Sequence, residues 1–104
     1  MQYVIVFITT INKKEAEKIS KALLDKRIIA CSNIIGDIES HFWWKGKKEK
    51  AKECLLLVKT SMAAFKKVLK VVKSLHSYEV PEIIAVPIIA GYKPYLEWIK
   101  ESTS

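Results

Sequence analysis

Cysteine, glycine, proline and arginine are all scarce in this chain. Two cysteines in 104 residues are too few for a secreted disulfide scaffold, and no zinc-finger spacing is present. Three glycines exclude a Gly-rich phosphate loop and a dinucleotide fingerprint. Three prolines and no linker, repeat or low-complexity stretch leave one domain, residues 1–104. Arg27 is the only arginine, so the bidentate contacts that read bases are missing and specific nucleic-acid binding is not expected. No apolar run approaches the roughly 18 residues that span a bilayer, which argues against a membrane partner. The opening MQYVIVFITT has no basic region and no small-residue cleavage site, so a cytoplasmic location is expected.

What is plentiful is lysine and apolar surface. Half the residues are hydrophobic and the net charge is +7. One glutamine and two asparagines beside so many lysines resemble heat-adapted compositions. Lys45, Lys47, Lys48, Lys50 and Lys52 cluster beside Trp43 and Trp44. A solvated turn whose charges prevent edge-to-edge pairing accounts for the cluster better than a single-strand nucleic-acid surface does.

The pattern alternates between strand and helix. Tyr3 to Thr9 is β-branched and aromatic, a strand. Asn12 and Glu15 form a capping box before the amphipathic stripe Ala16, Ile19, Ala22, Leu23. Ile28 to Trp44 reads as strand, interrupted by a bulge at Gly36-Asp37. Lys45-Gly46-Lys47 is the turn, and Ala51 to Thr60 the return arm. Ser61 is expected to cap a second helix with the stripe Phe65, Val68, Leu69, Val72, Leu75. Ile83 to Ile89 is a fourth strand, with Pro87 marking an edge or a bulge, and Pro94 opens a short last helix. The order β-α-β-β-α-β plus a helix predicts an α+β fold: a ferredoxin-like sandwich with an antiparallel sheet, a long hairpin and two helices on one face.

With helices on one face, the other face should alternate polar with apolar. It does not: Tyr3 to Ile8, Leu55 to Val58 and Ile83 to Val86 are apolar on both faces. Either other subunits cover the second face, in closed symmetry, or a helix or the C-terminal segment does. The hairpin arms are longer than one small subunit needs, which favours subunits.

Four segments carry a resemblance. They are Ile29-Ala30-Cys31-Ser32-Asn33-Ile34-Ile35, Glu39-Ser40-His41-Phe42-Trp43-Trp44-Lys45-Gly46-Lys47, His76-Ser77-Tyr78-Glu79-Val80-Pro81-Glu82-Ile83-Ile84-Ala85, and Tyr95-Leu96-Glu97-Trp98-Ile99. In this order and spacing they resemble the CutA divalent-cation tolerance proteins. The resemblance implies a homotrimer locked by long hairpins, a non-enzymatic role in the response to metal ions, and copper or another divalent cation as ligand, with no obligatory cofactor. It departs where the family's copper site has a cysteine and a first histidine, here Ile8 and Leu75, so that site is reduced to His76.

The candidate metal ligands are His76, as a neutral imidazole, Cys31, as a thiolate, and Glu79, as a hard oxygen donor. Each has a plainer reading: a helix-end histidine, a small buried thiol, a capping carboxylate. Cys54 reads as core, and His41 as an edge residue that could join an interface site. No nucleophile stands beside a base, so no enzyme is inferred. The alternative function is a PII-like small-ligand sensor, its pocket between subunits lined by Trp43, Trp44, Lys59, Tyr78 and Glu82.

Overall fold

The computed structural model describes residues 1–103. The chain runs β1 (Tyr3–Thr10), α1 (Lys13–Asp25), β2 (Cys31–Trp44), β3 (Lys47–Ser61), a 3₁₀ turn (Met62–Ala64), α2 (Phe65–Leu75), β4 (Ile83–Pro87) and α3 (Lys93–Ser102). The four strands form one antiparallel sheet in the order β2-β3-β1-β4, with β2 and β4 at its edges.

Strict alternation along β1 decides which face is covered. Val4, Val6, Ile8 and Thr10 are buried, and their register partners Val58, Leu56 and Cys54 lie on the same face. Ala16, Ile19 and Leu23 of α1 and Val68 and Val72 of α2 close the core over that face. Polar groups within this layer are paired: Ser20 with Ser32, and Thr60 Oγ1 donating to the Ile28 carbonyl at 2.6 Å.

The second face carries Ile5, Phe7, Leu55, Leu57, Asn33, Ile35, Ile84 and Val86. Both suggested covers can be compared here. α3 takes one end: Ile99 is buried and Tyr95 Oη lies 3.5 Å from Cys31 Sγ. It leaves Ile35, Ile84 and Val86 between 44% and 55% exposed.

The hairpin of β2 and β3 stretches the molecule to 44 Å. Its loop is Lys45-Gly46, at φ 51° and 80°, the positive pair that a type I′ turn requires. The expected bulge is present, a register shift between Ile35 and Ile38 with Asp37 at φ 57°. Several boundaries differ from the sequence reading. β2 begins at Cys31 rather than at Ile28, although Ala30 N–H still bonds the Lys59 carbonyl. β3 begins at Lys47 rather than at Ala51, because the tight turn pairs the lysine-rich arm at once. β4 stops at Pro87 rather than at Ile89, although Ile88 N–H still bonds the Tyr3 carbonyl at 2.9 Å. Ser61 ends β3 instead of capping a helix, and the 3₁₀ turn separates it from α2.

Candidate functional site

The chain leaves α2 at His76, whose extended backbone stops the helix. Its side chain turns fully inward. Nε2–H donates to the Thr9 carbonyl at 2.7 Å, and Nδ1 accepts from the Tyr78 N–H at 3.1 Å. That assigns the Nε2–H tautomer and leaves neither nitrogen for a metal.

Glu15 fixes the same loop from the other side. Asn12 Oδ1 accepts from the Glu15 N–H at 2.8 Å, one half of the capping box. The Glu15 carboxylate reaches past the cap to accept from the Ile11 N–H at 3.1 Å and from the Ser77 N–H at 2.8 Å. Burial acts to raise its pKa, but hydrogen bonds from Ser77 and Ile11 outweigh burial and hold the carboxyl below its ordinary range. Glu15, three residues into α1, therefore positions the start of the 77–82 loop.

That loop and the outer half of the hairpin enclose a cleft of about 990 Å³. The register puts Ser40 and Phe42 on one hairpin face with Ala51 and Glu53. Tyr78 Oη donates to Glu53 Oε2 at 2.5 Å across the cleft. Burial, then the bond to Glu53, raise the Tyr78 phenol above its ordinary value, so it stays protonated. His41 Nε2 and Glu39 Oε2 form an exposed pair at 2.8 Å on the hairpin.

The cleft brings together Trp43, Trp44, Tyr78 and Glu82, four of the five residues expected in a pocket. Lys59 is not among them. It stands opposite Cys31 and bonds Asn33 on the second sheet face, six residues and roughly 20 Å of strand beyond Glu53. The expected metal ligands are not brought together. His76 is turned inward, Cys31 sits under Tyr95, and Glu79 is exposed on the cleft wall. Among the described residues no three His, Cys, Asp or Glu side chains gather as a metal centre, and both cysteines are free.

Glu53, Glu15 and Thr9 were missed by the sequence reading. Glu53 closes a lysine-rich arm and reads as one more surface charge. Its one distinguishing signal is its place directly before the apolar run of β3.

Residues 4–102 match the model of the CutA1 divalent ion tolerance protein family. A divalent-cation tolerance protein CutA of Thermus thermophilus is 44% identical over 95% of this chain and 96% of its own. The human protein CutA is 41% identical over 93% of this chain, which spans only 54% of its length. The chain spans 56% of a chloroplastic rice relative. A solved structure described as the periplasmic divalent cation tolerance protein CutA of Archaeoglobus fulgidus superposes with a TM-score of 0.95 at 44% identity, covering 98% of this chain and 99% of the other. CutA1 of Oryza sativa superposes with a TM-score of 0.96 at 38% identity, covering 100% and 95%. Nothing in these likenesses supports the PII-like alternative. Family model, relatives and fold agree, and the chain belongs to the CutA1 divalent ion tolerance family.

Proposed function

We propose that this protein acts in tolerance of divalent cations as a homotrimer without a catalytic step, binding copper or another heavy-metal ion through residues of more than one copy. Each copy is one ferredoxin-like domain of the cytoplasm. The strand order β2-β3-β1-β4, with α1 and α2 on one face, supports the ferredoxin-like reading. The observation that carries the trimer is the second sheet face. Ile35, Ile84 and Val86 stay open after α3 has packed, beside two edge strands and a hairpin that projects from the core. A contiguous apolar face of this kind marks an interface.

Metal as the ligand rests on the family, and the geometry narrows how. Among the described residues one chain gathers no metal centre, so on this reading the donors come from several copies. Cys31 and Glu79 are the two expected ligands that are not turned inward. Titration of the reduced protein with Cu(I) and Cu(II) against a competing chelator tests this. Binding should weaken at least tenfold in Cys31→Ala or Glu79→Gln and hold in any folded His76→Gln. Tight binding lost only in His76→Gln would overturn the assignment.

A further inference from the structure

Among the described residues, Glu53 is the only Asp, Glu, Lys or Arg that is buried, at 6% exposure. A carboxylate taken out of water costs several kcal/mol unless charge and hydrogen bonds replace the lost solvent. Here the replacement is incomplete. Tyr78 Oη binds Oε2, and no lysine, arginine or histidine forms a salt bridge to Glu53 among the described residues. Oε1 has no hydrogen-bond partner there either. Yet no fully buried side-chain oxygen or nitrogen in the described residues is unpaired. Oε1 therefore keeps a small solvent exposure, and the space that Glu53 lines is the cleft.

The rest of the cleft fits what such an oxygen attracts. Its walls hold the aromatic rings of Phe42, Trp44 and Tyr78, and its charge is inverted relative to the molecule. The whole chain has 18 basic residues against 11 acidic ones, whereas the cleft has Glu53, Glu79 and Glu82 against Lys52 alone. Trp44 already draws a cation, the Lys45 ammonium lying 5.7 Å from its ring centre. A volume near 990 Å³ suits a small organic molecule. A bare metal ion fits less well: it needs several converging oxygens, no three His, Cys, Asp or Glu gather here among the described residues, and aromatic walls supply none.

We propose that this cleft binds a flat organic cation of the amidinium or guanidinium class, its N–H fork on Glu53 and its plane against Phe42 and Trp44. The fork matches a carboxylate edge, and the delocalised charge suits aromatic faces. This site shares Glu79 with the metal reading but differs from it in its central residue, Glu53, and in its ligand.

Calorimetric titration of the whole protein, in its solution assembly and with EDTA present, tests the proposal with benzamidine as the probe and neutral benzamide as its matched control. Saturable binding of benzamidine, at least tenfold tighter than benzamide, is expected. A folded Glu53→Gln variant should lose that preference. Tyr78→Phe keeps the carboxylate and frees its second oxygen, so it should bind as well or better. Glu82→Gln changes an exposed residue and should weaken benzamidine two- to fivefold without touching the core, which decides the matter if Glu53→Gln does not fold. No saturable binding, equal binding of the two probes, or full affinity in folded Glu53→Gln would overturn the proposal. With the chelator present, neither result depends on a metal site.

Discussion

Glu15 and His76 hold the cleft in place from beneath it, and each does so through atoms that look ordinary in the sequence. The Glu15 carboxylate is the acceptor for two backbone N–H groups from different parts of the chain, Ile11 and Ser77. Removing it exchanges two exposed charge-assisted bonds for bonds to water, so Glu15→Ala should lower stability by about 1 kcal/mol in denaturant titration. The pH dependence follows from the sign of its shift. The folded carboxyl titrates below the unfolded one, so its contribution is complete above the unfolded value of about 4.3 and is lost as pH falls through the lower folded value. Stability measured against pH should therefore show an acid limb in the parent protein that is shallower in Glu15→Ala. An unchanged limb would mean that other carboxylates carry it. His76 was legible as a histidine at a helix end, but its inward turn was not. Spacing along a helix says nothing about a carbonyl on β1, and the Thr9 acceptor lies 67 residues away.

At the scale of elements, the alternation of strand and helix was readable throughout, because the β-branched and aromatic run of β1 and the stripe on α2 are unbroken. Boundaries were less readable where a turn sets them. The pairing of Lys47 with Trp44 depends on backbone angles at Lys45 and Gly46 that no hydrophobic pattern reveals. Those angles yield a prediction. Gly46 at φ 80° is in the left-handed region, where a branched side chain is strained, so Gly46→Val should destabilise by about 1–2 kcal/mol. Lys45, also left-handed, should gain a few tenths of a kcal/mol on replacement by asparagine, which forms the preferred Asn-Gly turn. Thermal unfolding of the two variants should move in opposite directions. Ser61 shows the opposite limit of sequence reading. Serine before an amphipathic stripe signals a cap, but β3 runs on to pair Ser61 with Tyr3, and the ladder wins.

At the scale of the molecule, the sequence pointed to a second apolar sheet face that needs a cover, from other subunits, a helix or the C-terminal segment. The structure adds that α3 covers the region around Cys31 and leaves Ile35, Ile84 and Val86 open. Trp43, Trp44, Tyr78 and Glu82 stood out in the sequence because they are aromatic or acidic beside turn signals, and within one chain they line a common cleft. Lys59 lies apart from them within one chain, because the length of β3 carries it to the far end of the sheet. Charges on the open face should break the assembly without disturbing the core. Ile84→Lys with Val86→Lys should reduce the sedimenting mass while far-ultraviolet dichroism keeps its shape. An unchanged mass would place the contacts elsewhere. The most direct test of a trimer that shares a metal among its copies is native mass spectrometry of the reduced protein titrated with Cu(I). The predicted result is a species at three times the 11.9 kDa chain mass that retains metal, with no metal on chains released by activation. A single-chain mass, or released chains that carry the metal, would contradict it.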